Sequence, residues 1–166
     1  MYVLVKKRFD NKIYLKYSEN EVVDNVEDIK HDFIRETLKF MKVTGGIEII
    51  NWADIPTKGT GLGSSSSFLV GLLNAIHTLS GDKPTKEQIS KEACYIEVTK
   101  CGKPIGFQDQ MAAAYGGVNQ MIFKQNVMVG DKREVSKFAF TDPELRDISD
   151  RLMLFYTGVT RDSDTI

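Results

Sequence analysis

The stretch PTKGTGLGSSSS (Pro56–Ser67) decides how this 166-residue chain folds and what it can hold. Glycines alternate with other residues at Gly59, Gly61 and Gly63, and a run of serines then leads into an apolar segment that begins at Phe68. Glycine allows a positive φ and lets a bulky anion approach the backbone N–H groups closely. The serines lie at the predicted start of a helix, where unpaired N–H groups and the helix dipole favour an anion. The stretch therefore predicts a phosphate-binding loop.

Other interpretations of this loop explain less of the pattern. A glycine-rich turn with a serine N-cap accounts for one or two glycines and a single serine. A Walker A loop requires a lysine directly before the first Ser or Thr, and Gly63 stands there. A Rossmann fingerprint requires a glycine at position 64 and an acidic residue at a strand end about 20 residues further on. Position 64 is a serine, and the acidic candidate, Asp82, lies in a predicted turn.

Outward from the loop, the apolar spacing predicts strands and helices in mixed order. Thr85 and Gln88 are spaced like a capping box at the start of one helix, and Gly102 ends that helix. This order favours an α+β fold over a doubly wound parallel sheet. The predicted elements are a hairpin of Tyr2–Phe9 and Lys12–Tyr17 turning at Asp10-Asn11, a helix over Val26–Met41, a strand over Ile47–Trp52, helices over Phe68–Ser80, Thr85–Cys101 and Gln108–Tyr115, and strands over Val118–Phe123, Val135–Phe140 and Leu152–Tyr156.

Two carboxylates border a second polar segment, Lys100–Phe107. Glu97 lies near the end of one predicted helix and Asp109 near the start of the next, so the glycine-containing loop between them can fold both toward one cleft. A kinase acting on an alcohol needs Mg²⁺ to neutralise phosphate charge, and it usually places a carboxylate near the attacking hydroxyl. Solvated surface carboxylates are the alternative interpretation of this spacing.

The pattern Pro-x-x-Gly-x-Gly-Leu-Gly-Ser-Ser resembles the second motif of the GHMP kinases, the superfamily of galactokinase, homoserine kinase and mevalonate kinase. The resemblance implies that the loop wraps the phosphates of ATP and that Ser65 contacts the β-phosphate or Mg²⁺. It also implies that Glu97 binds Mg²⁺ and that Asp109 faces the substrate hydroxyl as catalytic base or orienter. The residues implied to hold the nucleotide are Gly59, Gly61, Leu62, Gly63, Ser64, Ser65 and Ser66.

Two further segments are similar to the D-glycero-D-manno-heptose 7-phosphate kinase branch of that superfamily. One is Gly-x-Gln-Asp-Gln (Gly106–Gln110) with the following Ala112–Gly117, and the other is Leu154–Gly158 with Thr160-Arg161. The resemblance implies a sugar or sugar phosphate as acceptor. Another branch, of mevalonate, homoserine or galactose type, and a non-catalytic nucleotide-binding module remain alternatives.

The resemblance implies the GHMP kinase N-terminal domain, a fold like domain 2 of ribosomal protein S5, over residues 1–157. Residues 158–166 are expected to begin a C-terminal domain. The family's first motif, on an early strand, and its third motif, in the C-terminal domain, have no counterpart here. We therefore expect a fragment of the kinase that has little activity alone.

Charge and composition restrict the partners. Lys and Arg number 22 against 23 Asp and Glu, so the net charge of −1 gives no reason to expect nucleic acid or an anionic membrane. No apolar stretch approaches the roughly 20 residues that span a bilayer, and basic residues at Lys6–Arg8 argue against a signal peptide. Cys94 and Cys101 do not form a metal-binding motif and are expected to stay reduced, which favours a cytoplasmic protein. A homo-oligomer is compatible with this composition.

Overall fold

The computed structural model describes residues 1–54, 61–123, 134–137 and 140–155. Helices pack against one face of a four-stranded sheet, and a separate two-stranded sheet follows near the C-terminal end of the chain. The mixed architecture confirms the predicted α+β class. The elements are β1 (Tyr2–Lys7), β2 (Ile13–Lys16), β3 (Asn20–Val23), a 3₁₀ turn (Val26–Asp28), α1 (Asp32–Phe40), β4 (Ile47–Trp52), α2 (Ser64–Ser80), α3 (Lys86–Cys94), a π-helix (Tyr95–Lys100), α4 (Gln108–Tyr115), β5 (Asn119–Ile122), β6 (Glu134–Lys137) and α5 (Asp142–Asp150).

The sheet order is β1-β4-β2-β3, so the predicted hairpin between the first two strands is wrong. Strand β4 lies between them, antiparallel to β1 and parallel to β2. The connection between β1 and β2 wraps around the start of β4. The N–H of Arg8 donates to the carbonyl of Gly46 at 2.8 Å, and the N–H of Gly46 donates to the carbonyl of Asn11 at 3.0 Å. The residues between β1 and β2 thus form hydrogen bonds with the start of β4, and they do not form the tight turn that joins two strands paired directly with each other.

The hairpin in this sheet joins β2 to β3, a strand that sequence patterning missed. Its Glu21 is buried, and the hydroxyl of Tyr17 donates to it at 2.7 Å and the N–H of Lys30 at 2.8 Å. Because the fold supplies these donors, a carboxylate can be buried within this short strand.

Helix α2 is the centre of the core. Its apolar face is fully buried against the inner face of the sheet, and Gly71 brings the helix close to β1, since a Cβ there would lie 3.1 Å from Cγ2 of Val3. The prediction of this helix is confirmed, and Gly81 ends it with a φ of 88°. The fully buried side chains of the helix and sheet are Ile13, Leu15, Ile47, Ile49, Leu69, Leu72, Leu73 and Ile76.

The helix predicted over Val26–Met41 is shorter in the structure. A 3₁₀ turn and an extended segment precede α1, and Arg35 donates from Nη1 to the carbonyl of Ile29 at 2.7 Å. Ile29 lies in this irregular segment and its side chain is buried. Its spacing relative to the apolar residues of α1 therefore arises from burial in the core and does not indicate a helix. The Thr85 cap of α3 is confirmed, since its Oγ1 accepts from the N–H of Gln88 at 3.1 Å. The side-chain amide of Gln88 donates to Glu92 at 2.9 Å and not back to the backbone of Thr85, so only one of the two hydrogen bonds of a capping box is formed.

The C-terminal part of the chain departs most from the prediction. Strands β5 and β6 pair antiparallel, but α5 was not predicted. Thr141 and Glu144 form a capping box at its start. The strand predicted over Leu152–Tyr156 is wrong through Phe155, because residues 152–155 have no regular structure and are exposed; Tyr156 lies outside the described residues. Among the helices of the described ranges, none is both long enough and apolar enough to cross a bilayer.

His31 makes the stability of the fold depend on pH. It precedes α1, edge-on to Tyr17 with ring centroids 4.8 Å apart and 5.4 Å from the ring of Phe68. Burial lowers the pKa of His31, against the carboxylates of Glu21 and Asp32, which raise it. The unfolded chain therefore binds a proton at a pH where the folded chain does not. The stability gained from neutral His31 is complete above about pH 6.5 and is lost as the pH falls toward the folded pKa.

We expect a His31→Phe variant to lose less stability on acidification than the unsubstituted chain does. Urea unfolding of both proteins at about pH 7.5 and about pH 5 measures the two differences in the free energy of unfolding. Phenylalanine retains a ring among the aromatic neighbours and cannot be protonated. Equal losses in the two proteins would contradict this role for His31.

Candidate active site

The glycine-serine stretch ends as the N-terminus of α2. Gly63 occupies the N-cap position with a φ of 65°, and Gly61 has a φ of 67°, so both have the positive φ that the sequence predicts. The first helical hydrogen bond joins the N–H of Ser67 to the carbonyl of Gly63 at 2.9 Å. The N–H groups of residues 64–66 precede that bond, and they are the donors that an α-helix leaves over at its start. This end of a 17-residue helix is suited to an anion.

Glu97 lies in an irregular helical turn. The helix that begins with α3 continues as the π-helix, and the N–H of Cys101 donates to the carbonyl of Ile96, five residues back, at 2.8 Å. Such wide turns are rare and occur often at functional sites. Glu97 is 1% exposed, although it stands on a short segment between two helices. A carboxylate buried to this degree needs hydrogen-bond donors.

Three side chains supply those donors. The hydroxyl of Ser65 donates to Oε1 of Glu97 at 2.9 Å, and the hydroxyl of Ser66 donates to Oε2 at 2.7 Å. The amide of Gln110 donates from Nε2 to the same Oε2 at 2.7 Å. Ser66 and Gln110 are each 0% exposed, whereas Ser65 lies at the surface. The network joins the start of α2, the π-helix and the start of α4 around one carboxylate.

Asp109 stands beside the N-terminus of α2. It is the second residue of α4 and is exposed to solvent. A Cβ added to Gly63 would lie 3.2 Å from Oδ2 of Asp109 and 3.3 Å from its Cγ, so the missing side chain of Gly63 leaves the space for this carboxylate. The positive end of the helix dipole favours a negative charge at this position.

The structure thus brings together five of the residues predicted for the site: Gly63, Ser65, Ser66, Glu97 and Asp109. Ser64 is the first residue of α2, and Gly61 contributes its backbone conformation. The side chain of Leu62 is 49% exposed. Gly59 lies outside the described residues. The domain boundary predicted at residues 157 and 158 also lies outside them, and it stays a prediction.

Sequence reasoning missed Gln110 as part of the site, as well as the contact from Ser66 to Glu97. One signal was present: Gln110 is a polar residue between Asp109 and the apolar run Met111–Ala114 in a short helix. Nothing local shows that this glutamine is buried, because its burial depends on how α4 packs against α2 and α3.

Comparison with known sequences gives a family match and several curated relatives. The sequence model of the GHMP kinases N terminal domain matches residues 14–117. D-glycero-alpha-D-manno-heptose 7-phosphate kinase of Campylobacter jejuni is 30% identical over 162 residues, covering 95% of this chain and 46% of the relative. Galactokinase of Pyrococcus furiosus is 31% identical over 147 residues, covering 87% of this chain and 37% of the relative. The chain therefore spans less than half the length of these relatives.

Solved structures show the same architecture. A D-glycero-D-manno-heptose 1-phosphate kinase from Bacteroides thetaiotaomicron superimposes with a TM-score of 0.74 at 24% identity, covering 90% of this chain and 50% of that one. A putative sugar kinase from Campylobacter jejuni gives a TM-score of 0.66 at 27% identity, covering 81% of this chain and 45% of that one. The fold of about half of each of these solved chains is thus present here.

Proposed function

Because this chain belongs to the GHMP kinase family, we propose that it is the nucleotide-binding part of a kinase that phosphorylates a hydroxyl of a sugar or sugar phosphate. The observation that carries the proposal is the arrangement at the N-terminus of α2, where the hydroxyl of Ser65 donates to Glu97 and the carboxylate of Asp109 lies beside Gly63. The similarity to a heptose 7-phosphate kinase supports a heptose phosphate as the acceptor. The use of ATP supports a cytoplasmic location.

The phosphates of ATP would bind at the N-terminus of α2. The N–H groups of residues 64–66 point out of this end of the helix, and Gly61 and Gly63 place no side chain over it. Backbone donors and the helix dipole together make such an end an anion site. Ser65, which is exposed, is the hydroxyl best placed to reach a phosphate oxygen.

The donor set also fits Mg²⁺. Glu97, Ser65 and Asp109 present oxygen atoms, which this hard cation prefers, and it is usually held by one or two carboxylates together with substrate phosphates. Within the described ranges there is no group of three or more His, Cys, Asp or Glu side chains that would hold a metal without a substrate. Glu97 and Ser65 would hold the ion, which supplies positive charge against the phosphate oxygens.

Asp109 would act on the acceptor. Its exposed carboxylate lies beside Gly63, next to the proposed phosphate site. From there it can accept the proton of the acceptor hydroxyl while that oxygen bonds to the γ-phosphorus and the bond to the β-phosphate oxygen breaks, releasing ADP. Catalysis of this kind depends chiefly on positioning and on electrostatic stabilisation.

Thermal unfolding with and without Mg·ATP tests the proposed nucleotide site. At a hundredfold excess over the dissociation constant, a ligand that binds only the folded chain stabilises it by about 2.7 kcal/mol. For a chain of this length we expect the melting temperature to rise by about 5–10 °C. The rise should shrink to less than half in Ser65→Ala, because that variant loses the exposed hydroxyl.

Ser67→Ala is the matched control, since Ser67 lies in the same turn of α2 but outside the proposed site. It should respond to Mg·ATP as the unsubstituted chain does. A cooperative transition that Mg·ATP leaves unchanged in the unsubstituted chain would refute the nucleotide site. If Mg·ATP does bind, the acceptor is tested next in the protein that carries this domain. Comparing heptose 7-phosphate, galactose and mevalonate as acceptors would identify the branch of the family.

A further inference from the structure

The two oxygens of the Glu97 carboxylate have different surroundings. Oε2 accepts from Ser66 and Gln110, both at 2.7 Å, and these two side chains are completely buried. Oε1 accepts from Ser65 at 2.9 Å, and Ser65 lies at the surface. The carboxylate is thus held from the protein interior through Oε2, while Oε1 binds a side chain that is exposed at the surface.

The orientation of the Gln110 amide follows from this contact. Its nitrogen lies 2.7 Å from a carboxylate oxygen, and the opposite orientation would set two acceptors against each other. In this orientation Oε1 of Gln110 is buried, and no residue of the described structure donates to it. A buried acceptor without a donor costs free energy. The hydrogen bond from Nε2 to Glu97 therefore determines where the side chain of Gln110 lies. The amide oxygen makes no hydrogen bond with a described residue that would contribute to this placement.

The two buried donors are next to residues that the proposed function uses. Ser66 follows Ser65 in the first turn of α2, and Gln110 follows Asp109 in the first turn of α4. The hydrogen bonds to Oε2 therefore fix the position of Glu97, the proposed metal ligand, relative to Ser65 on α2 and Asp109 on α4. Residues outside the first coordination sphere commonly orient metal ligands in this way.

We infer that Gln110 is a positioning residue, which together with Ser66 fixes Glu97 through Oε2 so that Oε1 is presented to the divalent cation that accompanies ATP. This inference rests on the proposed function, because it takes Glu97 as a metal ligand. It assigns to Gln110 no contact with the nucleotide or with the acceptor. Substitution of Gln110 should therefore weaken only the part of nucleotide binding that depends on the metal.

The test is calorimetric titration of the chain with Mg·ATP and, separately, with ATP in the presence of EDTA. Gln110→Met keeps the length of the side chain and removes the amide donor. We expect it to weaken Mg·ATP binding by about 10–100-fold and to change metal-free ATP binding by less than about twofold. Gln108→Met is the matched control, since Gln108 is exposed at the start of the same helix, and it should bind both ligands normally.

A second variant keeps the test decisive if Gln110→Met does not fold. Ser66→Ala removes the other donor to Oε2 and should show the same metal-specific loss, with Ser67→Ala as its control. Unchanged Mg·ATP binding in the folded variants, or an equal loss for both ligands, would overturn the positioning role. Failure of the unsubstituted chain to bind Mg·ATP more tightly than metal-free ATP would instead overturn the proposed function, and the inference with it.

Discussion

Replacing Asp109 by asparagine is expected to lower the turnover of the protein that carries this domain by about 10²–10⁴-fold, the usual contribution of a general base. Asparagine has the same shape as aspartate, so the close approach to Gly63 is kept and the start of α4 is not disturbed. The substitution removes only the negative charge and the capacity to take a proton. The measurement is the steady-state rate of ADP release with a heptose phosphate as acceptor.

The affinity for Mg·ATP separates catalysis from binding in this variant. If Asp109 acts on the acceptor, the variant should bind Mg·ATP within about threefold of the unsubstituted protein, and the loss should fall on kcat. Asp150→Asn, an exposed substitution at the end of α5, serves as the control and should retain full turnover. An unchanged rate in Asp109→Asn would remove Asp109 from the proposed chemistry.

The main residues of the site could be predicted because their chemistry is local. Alternating glycines before a serine run indicate a helix N-terminus that binds an anion, and the positive φ of Gly61 and Gly63 confirms the predicted backbone. Glu97 and Asp109 flank one loop, and the structure places each of them beside the first turn of α2. Their spacing alone left solvated surface carboxylates as an alternative, and the resemblance of the glycine-serine loop to the GHMP kinases favoured a shared site.

The surroundings of these residues could not be predicted, because they depend on packing between elements far apart in the sequence. Gln110 is separated from the serines of α2 by more than 40 positions, and the packing of α4 against α2 and α3 brings its amide to Glu97. The π-helix that carries Glu97 has no propensity signal, since it differs from an α-helix only in the residue to which each N–H donates.

The same distinction explains the errors in the fold. Strands β1 and β2 were predicted correctly as elements, but their partner is β4, which comes some 30 residues later. Sequence neighbours often pair, and patterning cannot show that a third strand lies between them. Helix α5 was missed because most of its residues are polar and exposed, although its capping box and the apolar pair Leu145 and Ile148, three residues apart, are present in the sequence.

The insertion of β4 between β1 and β2 depends on Gly45. A Cβ added there would lie 2.3 Å from the carbonyl oxygen of Asn11 and 3.3 Å from its carbonyl carbon. Both are backbone atoms, so no side-chain rotation can relieve the overlap. We expect Gly45→Ala to reduce the free energy of unfolding by about 3 kcal/mol or more, since overpacking that displaces backbone lies at the upper end of such effects. Urea unfolding measures the difference.

Gly81→Ala separates this overlap from the conformational cost of losing a glycine. Gly81 has a φ of 88°, but a Cβ there would meet nothing within 4 Å, so only the strain of a left-handed alanine should appear, about 1–2 kcal/mol. Gly45 has the opposite combination, a crowded site without a positive φ, and its substitution should cost more than that of Gly81. If Gly45→Ala were as stable as the unsubstituted chain, the segment after β1 could not cross so close to the start of β4. The sheet order would then have to be revised, because the hydrogen bond from Gly46 to Asn11 requires the same close approach.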